Sequence, residues 1–98
     1  GRSKFFLFTY SADQTSYTKE LSNELLYLYP KKIIMIGRVK SGEYKLSLRS
    51  SDKEIPPALE KAFEGVEGYG GGHEHACGAC VKEEDWDTFL EQFKKAMS

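Results

Sequence analysis

A single small domain of mixed α/β class is the fold this chain predicts, on three observations. Its 98 residues, 40% of them hydrophobic, suffice for one core that buries roughly two-thirds of the unfolded surface. Apolar runs of strand length alternate along the chain with stripes at helical spacing. Glycine, proline and small polar residues fall between the runs, where turns and helix ends need them. The expected architecture is a mixed β-sheet of about four to five strands with about three helices packed on it, in the order β-α-β-β-α-β-α.

The first strand is expected over residues 4–10, a phenylalanine-rich run read as buried, and the small polar residues 11–15 turn it into a helix. Tyr17, Leu21, Leu25 and Leu28 line one face of that helix until Pro30 stops it. Residues 32–39 are β-branched and apolar, and Ser41-Gly42 makes a tight turn into a strand over 44–50. Alternation there directs Tyr44, Leu46 and Leu48 to the core and Lys45, Ser47 and Arg49 to the opposite face. Pro56-Pro57 pre-set a second helix with Leu59, Ala62, Phe63 and Val66 in its stripe, ended by Gly65, Gly68 and the glycines beyond, which read as a loop. Residues 76–81 are small and apolar, suiting a strand or a close crossing of backbones. The last helix carries Glu83, Glu84 and Asp85 at its positive end and Lys94-Lys95 at its negative end. Its stripe is Trp86, Phe89, Leu90, Phe93 and Met97. This order suits a ferredoxin-like sandwich or another mixed sheet with helices on it.

The charge balance narrows the function classes. A formal net charge of -1, from 14 basic and 15 acidic side chains, creates no global field that would draw the chain to nucleic acid or to an anionic membrane. Phosphate contacts must therefore be local. The longest apolar stretches, 5–8 and 33–36, are far short of the ~20 residues of a membrane helix, and no signal-peptide layout is present. No membrane partner and a cytoplasmic location are expected. Cys77 and Cys80 lie too close in sequence for the disulfide framework of small secreted domains. Gly1-Arg2-Ser3 runs into the first strand without an initiator Met, so residues 1–98 are expected to be one domain cut from a longer protein.

Gly70-Gly71-Gly72-His73, a GGGH motif, is the stretch richest in chemistry. Three residues without a Cβ let backbone N–H groups converge on an anion, and a histidine at the rim donates a hydrogen bond and adds charge when protonated. The alternative is a flexible turn ending in an exposed histidine. Arg49 offers a planar fork suited to phosphate, with Ser50-Ser51 following it, although a surface arginine is most often simply solvated. Lys45 and Lys53 are near in sequence and would widen a basic patch, although for them simple solvation is the commoner case still. His73, His75, Cys77 and Cys80 spell H-x-H-x-C-x-x-C, a zinc reading opposed by geometry, since an extended strand sends Cys77 and Cys80 to opposite faces. Tyr69 stands apart from the core aromatics because it adjoins the glycines, where base stacking becomes conceivable. No nucleophile with a paired base and no carboxylate cluster emerges, so the chain alone is expected to be inert.

Residues 70–79, GGGHEHACGA, together with 45–50, KLSLRS, resemble the DHH-associated C-terminal domain, subfamily 1, of the DHH phosphoesterase superfamily. The correspondence spans residues 44–96, and the first half has the expected strand-helix-strand arrangement. The resemblance implies that Gly70, Gly71 and Gly72 shape a substrate loop and that His73 contacts a phosphate. Arg49, with Ser50 beside it, would hold the nucleotide or a second phosphate. It also implies a separate N-terminal DHH domain, absent from this chain, whose aspartates and histidines hold two manganese ions that activate water. The expected partners are that domain and a nucleotide, an oligonucleotide or another phosphate-containing substrate. Relatives of this kind include RecJ-type exonucleases, oligoribonucleases that also hydrolyse phosphoadenosine phosphate, cyclic dinucleotide phosphodiesterases and exopolyphosphatase-related proteins. Cys77 stands where alanine is common in the family, and Cys80 lies outside its motif. The C-terminal domain of alanyl-tRNA synthetase shares the domain family and supplies the alternative of an RNA- or tRNA-binding module; a zinc-binding structural module is a third.

Overall fold

A computed structural model describes residues 4–11 and 18–98. The elements are β1 (Phe5–Ser11), α1 (Thr18–Leu28), β2 (Ile33–Lys40), β3 (Glu43–Arg49), α2 (Pro56–Ala62), β4 (Gly68–His73), β5 (Ala76–Lys82) and α3 (Trp86–Met97), the last preceded by a 3₁₀ turn at Glu83–Asp85. The five strands form one mixed sheet in the order β1-β2-β3-β5-β4. β1 runs parallel to β2, as a strand-helix-strand crossover requires, and every other pair is antiparallel. Among the described residues no helix is long and apolar enough to cross a membrane.

Helices cover both faces, and the alternation of each strand decides which residues meet them. On one face Met35, Leu48 and Cys77 lie in register, as do Leu46 and Ala79. They form the main core with Leu59 and Ala62 of α2 and Phe89, Phe93 and Met97 of α3. Tyr44 leans on the same core and stacks on Trp86 at a centroid distance of 4.0 Å. On the other face α1 packs over β2 and β3. There the buried hydroxyls of Ser22 and Ser47 share a 2.8 Å hydrogen bond, so neither is left unsatisfied between helix and sheet. α1 does not extend over β5 and β4, and that part of the sheet is open.

The mixed α/β class, the single small domain and the three helices are as the sequence predicts. Three local readings change. The glycine segment is a strand, β4, and not a loop. It adds a β to the predicted order, because β5 supplies a full ladder of backbone partners that the glycines need no side chains to join. β1 is not a buried strand. It occupies a sheet edge, and Phe8 is 48% exposed there. In α1 the fully buried position is Ser22, while Leu28 is 58% exposed, because the helix is rotated to bring Ser22 over Ser47. Residues 12–15 of the predicted turn, Tyr17, and Gly1-Arg2-Ser3 lie outside the described residues.

Candidate functional site

The site is built on the open half of the α1 face. Cross-strand register aligns Arg49 of β3 with Ala76 of β5, and Ala76 with His73 of β4. Paired residues of an antiparallel ladder share a face, so Arg49 and His73 flank the small side chain of Ala76. One step along, Ser47, Gly78 and Gly71 are in register. A Cβ built on Gly71 would meet nothing within 4 Å, and one on Gly78 would touch only the Leu46 carbonyl, at 3.6 Å. Together these residues make a shallow open depression of about 300 Å³ with a backbone floor and an Arg-His rim.

Arg49 is held in place by bonds from two of its three guanidinium nitrogens. Its Nε donates to Asn23 Oδ1 of α1 at 2.7 Å, and its Nη1 donates to the Leu48 carbonyl at 2.8 Å and to the Cys77 carbonyl at 3.4 Å. None of these bonds uses Nη2. Partial burial lowers the guanidinium pKa, with the Cys77 thiol acting in the opposite sense, and an arginine in such surroundings keeps its charge. The geometry is a fork anchored on two edges with one N–H₂ group left for a ligand.

The two-residue turn Glu74-His75 between β4 and β5 sets His73, and the loop after β3 holds that turn. Ser50 N–H donates to the His75 carbonyl at 3.1 Å, and Ile55 N–H donates to the Glu74 carbonyl at 2.7 Å. His75 Nδ1–H donates to the Lys53 carbonyl at 3.1 Å, and Lys53 Nζ donates to the carbonyl of Met97 at 2.8 Å. Ser50 is buried, and its hydroxyl accepts the Lys53 N–H at 3.1 Å. It therefore shapes the loop that carries the hairpin and does not face the depression. Lys53 is likewise committed to the end of α3.

The glycines divide by face. Gly71 lies in the depression with His73, two residues on, while Gly70 and Gly72 face the α2 side. A Cβ on Gly70 would sit 3.1 Å from Phe63 Cε2, and one on Gly72 only 2.5 Å from the Ala76 carbonyl oxygen. The sequence presents the three as one loop; their register with β5 shows that Gly71 alone opens the face. Gly78, which in sequence is no more than part of a small-residue strand, is the other half of the floor. Its signal is the absence of a Cβ directly opposite Gly71.

The residues of the zinc reading diverge. Cys77 is in the main core, Cys80 lies on the opposite face, and His75 is turned to Lys53. Among the described residues no three His, Cys, Asp or Glu side chains come together as a metal site. Cys77 has a structural partner instead: its thiol donates to the His73 carbonyl at 3.1 Å. Burial pushes this thiol pKa up, with Arg49 pulling the other way. Burial also raises Cys80, with Glu43 adding to the rise and Tyr69 and Lys45 opposing it. A raised folded-state pKa means that the native chain holds the proton more tightly than the unfolded chain. The corresponding stability is present in full below the ordinary thiol value and is lost as pH rises through the folded value. Urea unfolding should therefore show a wild-type midpoint that falls more steeply at alkaline pH than that of a Cys77→Ala, Cys80→Ala variant; parallel profiles would refute this.

The DHHA1 domain family matches residues 6–98. The chain belongs to the DHHA1 domain family. No curated protein matches this DHHA1 chain in sequence, but solved structures share its fold. The C-Ala domain of alanyl-tRNA synthetase from Aquifex aeolicus superposes with a TM-score of 0.78 at 14% identity, over 96% of this chain and 90% of that one. RecJ from Thermus thermophilus, in complex with Mn²⁺, gives 0.74 at 17% identity, over 95% of this chain. The pGpG-specific phosphodiesterase PggH from Vibrio cholerae gives 0.65 at 15% identity, over 99%. The DHHA1 chain spans 14% of that RecJ chain and 34% of that PggH chain, so it matches one part of each.

Proposed function

We propose that this DHHA1 domain is the substrate-holding part of a larger DHH phosphoesterase and that it grips a phosphate between Arg49 and His73 over the Gly71–Gly78 floor. The observation that carries the reading is the register of Arg49, Ala76 and His73 on one open face. That arrangement presents a fixed guanidinium and an imidazole to the same small volume, where backbone can approach a ligand closely. The class of substrate is a phosphate ester of nucleotide type, in keeping with PggH, a phosphodiesterase specific for pGpG. In this reading manganese belongs to the DHH domain of the whole enzyme and activates the attacking water there. This chain positions the substrate while bond cleavage occurs elsewhere, and alone it is inert. RNA or tRNA binding is the alternative raised by the C-Ala fold; the register that brings Arg49 and His73 to one small depression favours a single phosphate grip over it.

The test is an NMR titration of the chain with adenosine monophosphate, a short oligonucleotide and inorganic phosphate. Wild type should bind mononucleotide weakly, with a dissociation constant of ~1 mM or higher, since half of the clamp is missing. Shifts should be confined to the open face that carries Arg49, Gly71, His73 and Gly78. Arg49→Ala should weaken binding by about tenfold or more, in line with ~1.5–3 kcal/mol for a charge-assisted bond, and His73→Ala should weaken it as well. Shifts elsewhere, or shifts that both variants retain, would overturn the assignment. Tight binding to structured RNA would replace it with the RNA-binding alternative.

A further inference from the structure

Tyr69 begins the exposed row that His73 ends. The two share a face of β4 with Gly71 between them, since each is two residues from the next. Four residue steps along the strand separate their Cα atoms by about 13 Å, so a phosphate held at one end leaves the other within reach of an attached ring system. The side chain of Tyr69 is 73% exposed, more than any other aromatic residue in the described strands. Its location is nevertheless defined, because Tyr69 lies in register with Cys80 and Cys80 with Lys45. The phenol is close enough to act on the Cys80 thiol, and most of the residue remains open to solvent. The ground between Tyr69 and His73 is bare, because a side chain at Gly71 would have met no neighbour within 4 Å.

We propose that Tyr69 is a nucleobase platform. A nucleoside monophosphate end would lie along β4 with its phosphate at Arg49 and His73, its sugar over Gly71 and Gly78, and its base stacked on the outer face of the Tyr69 ring. The proposal rests on the phosphate reading above and adds to it a preference for nucleotides over phosphates that carry no base. Stacking tolerates any base because every base has a π-face, so the platform selects for a nucleotide without selecting its sequence. Burying an exposed aromatic face under a base also removes apolar surface from water, which favours the complex.

The test compares adenosine 5′-monophosphate with ribose 5-phosphate, which has the sugar and phosphate but no base, in the wild-type chain and in Tyr69→Leu, Tyr69→Trp and Arg49→Ala. Wild type should bind the nucleotide about tenfold more tightly than ribose 5-phosphate, the lower part of the range for one stacked base. The Tyr69 ring protons should move upfield with the nucleotide only. Tyr69→Leu should remove the preference without changing ribose 5-phosphate binding, and Tyr69→Trp should keep it. Unchanged urea midpoints will confirm that these variants at an exposed position fold normally. Equal binding of both ligands, unaffected by Tyr69→Leu yet lost in Arg49→Ala, would sink the platform and leave the phosphate clamp standing. Absence of any shift at Arg49 and His73 with either ligand would remove the clamp, and the platform with it.

Discussion

Replacing Phe89 with alanine should lower the unfolding free energy by about 3–5 kcal/mol, the range for a large aromatic removed from a core that cannot collapse. Phe89 is completely buried and central to the aromatic stack beneath the sheet. Its ring lies 5.1 Å from Phe63, 6.0 Å from Trp86 and 5.9 Å from Phe93 by centroid. These neighbours come from the segment after α2 and from successive turns of α3, so truncation empties the junction between the two helices and the sheet. A domain of this length has only about 5–15 kcal/mol of total stability, and the variant should therefore unfold early in a urea titration. Phe89→Leu, which keeps most of the volume, should lose much less. A Phe89→Ala cost below about 1 kcal/mol would mean that α3 packs loosely. The proposed ligand face is on the other side of the sheet, so the folded fraction of the variant should still show the Arg49 and His73 shifts.

The parts of the fold that announce themselves in sequence are those in which side chains set the period. β3 alternates Tyr44, Leu46 and Leu48 with Lys45, Ser47 and Arg49, and α3 repeats apolar residues at helical spacing from Trp86 to Met97; both fold as predicted. β4 does not announce itself, because three of its six residues are consecutive glycines, which have poor intrinsic strand preference and no side chains to alternate. Its cause lies in β5, whose edge would otherwise expose a row of unpaired backbone groups. α1 departs from expectation for a related reason. A leucine spacing of four, four and three identifies a helix but not its rotation, which follows the Ser22–Ser47 hydrogen bond across 25 residues. The candidate site is legible as residue types, since Arg49, the glycines and His73 all stand out. What the sequence does not supply is the division of labour among them. That Ser50 shapes a loop, that Gly78 completes the floor, and that Asn23 of a distant helix braces Arg49 are facts of register and tertiary contact.

That division of labour yields an outcome in which adjacent glycines behave oppositely. Gly72→Ala should destabilise the chain by roughly 3 kcal/mol or more, because two penalties combine. Its φ of +147° lies where L-residues other than glycine are strained, at a cost on the order of 1–3 kcal/mol. In addition, the new methyl would sit 2.5 Å from the Ala76 carbonyl oxygen and 2.9 Å from Cys77 Cα, both backbone atoms of the hairpin partner that cannot move aside without breaking the ladder. Gly71→Ala should leave the urea midpoint within about 0.5 kcal/mol of wild type, as at an ordinary exposed position, since its methyl would meet nothing within 4 Å. The same methyl would stand in the depression, between the Tyr69 and His73 ends of the proposed ligand, and should weaken nucleotide binding. Circular dichroism melts and the NMR titration, run on both variants, separate the two effects. If Gly71→Ala were destabilising, or if it bound nucleotide as well as wild type, the open face would not be the ligand face. If Gly72→Ala were tolerated, β4 would be free to leave its register with β5, and the alignment of His73 with Arg49 would lose its structural basis.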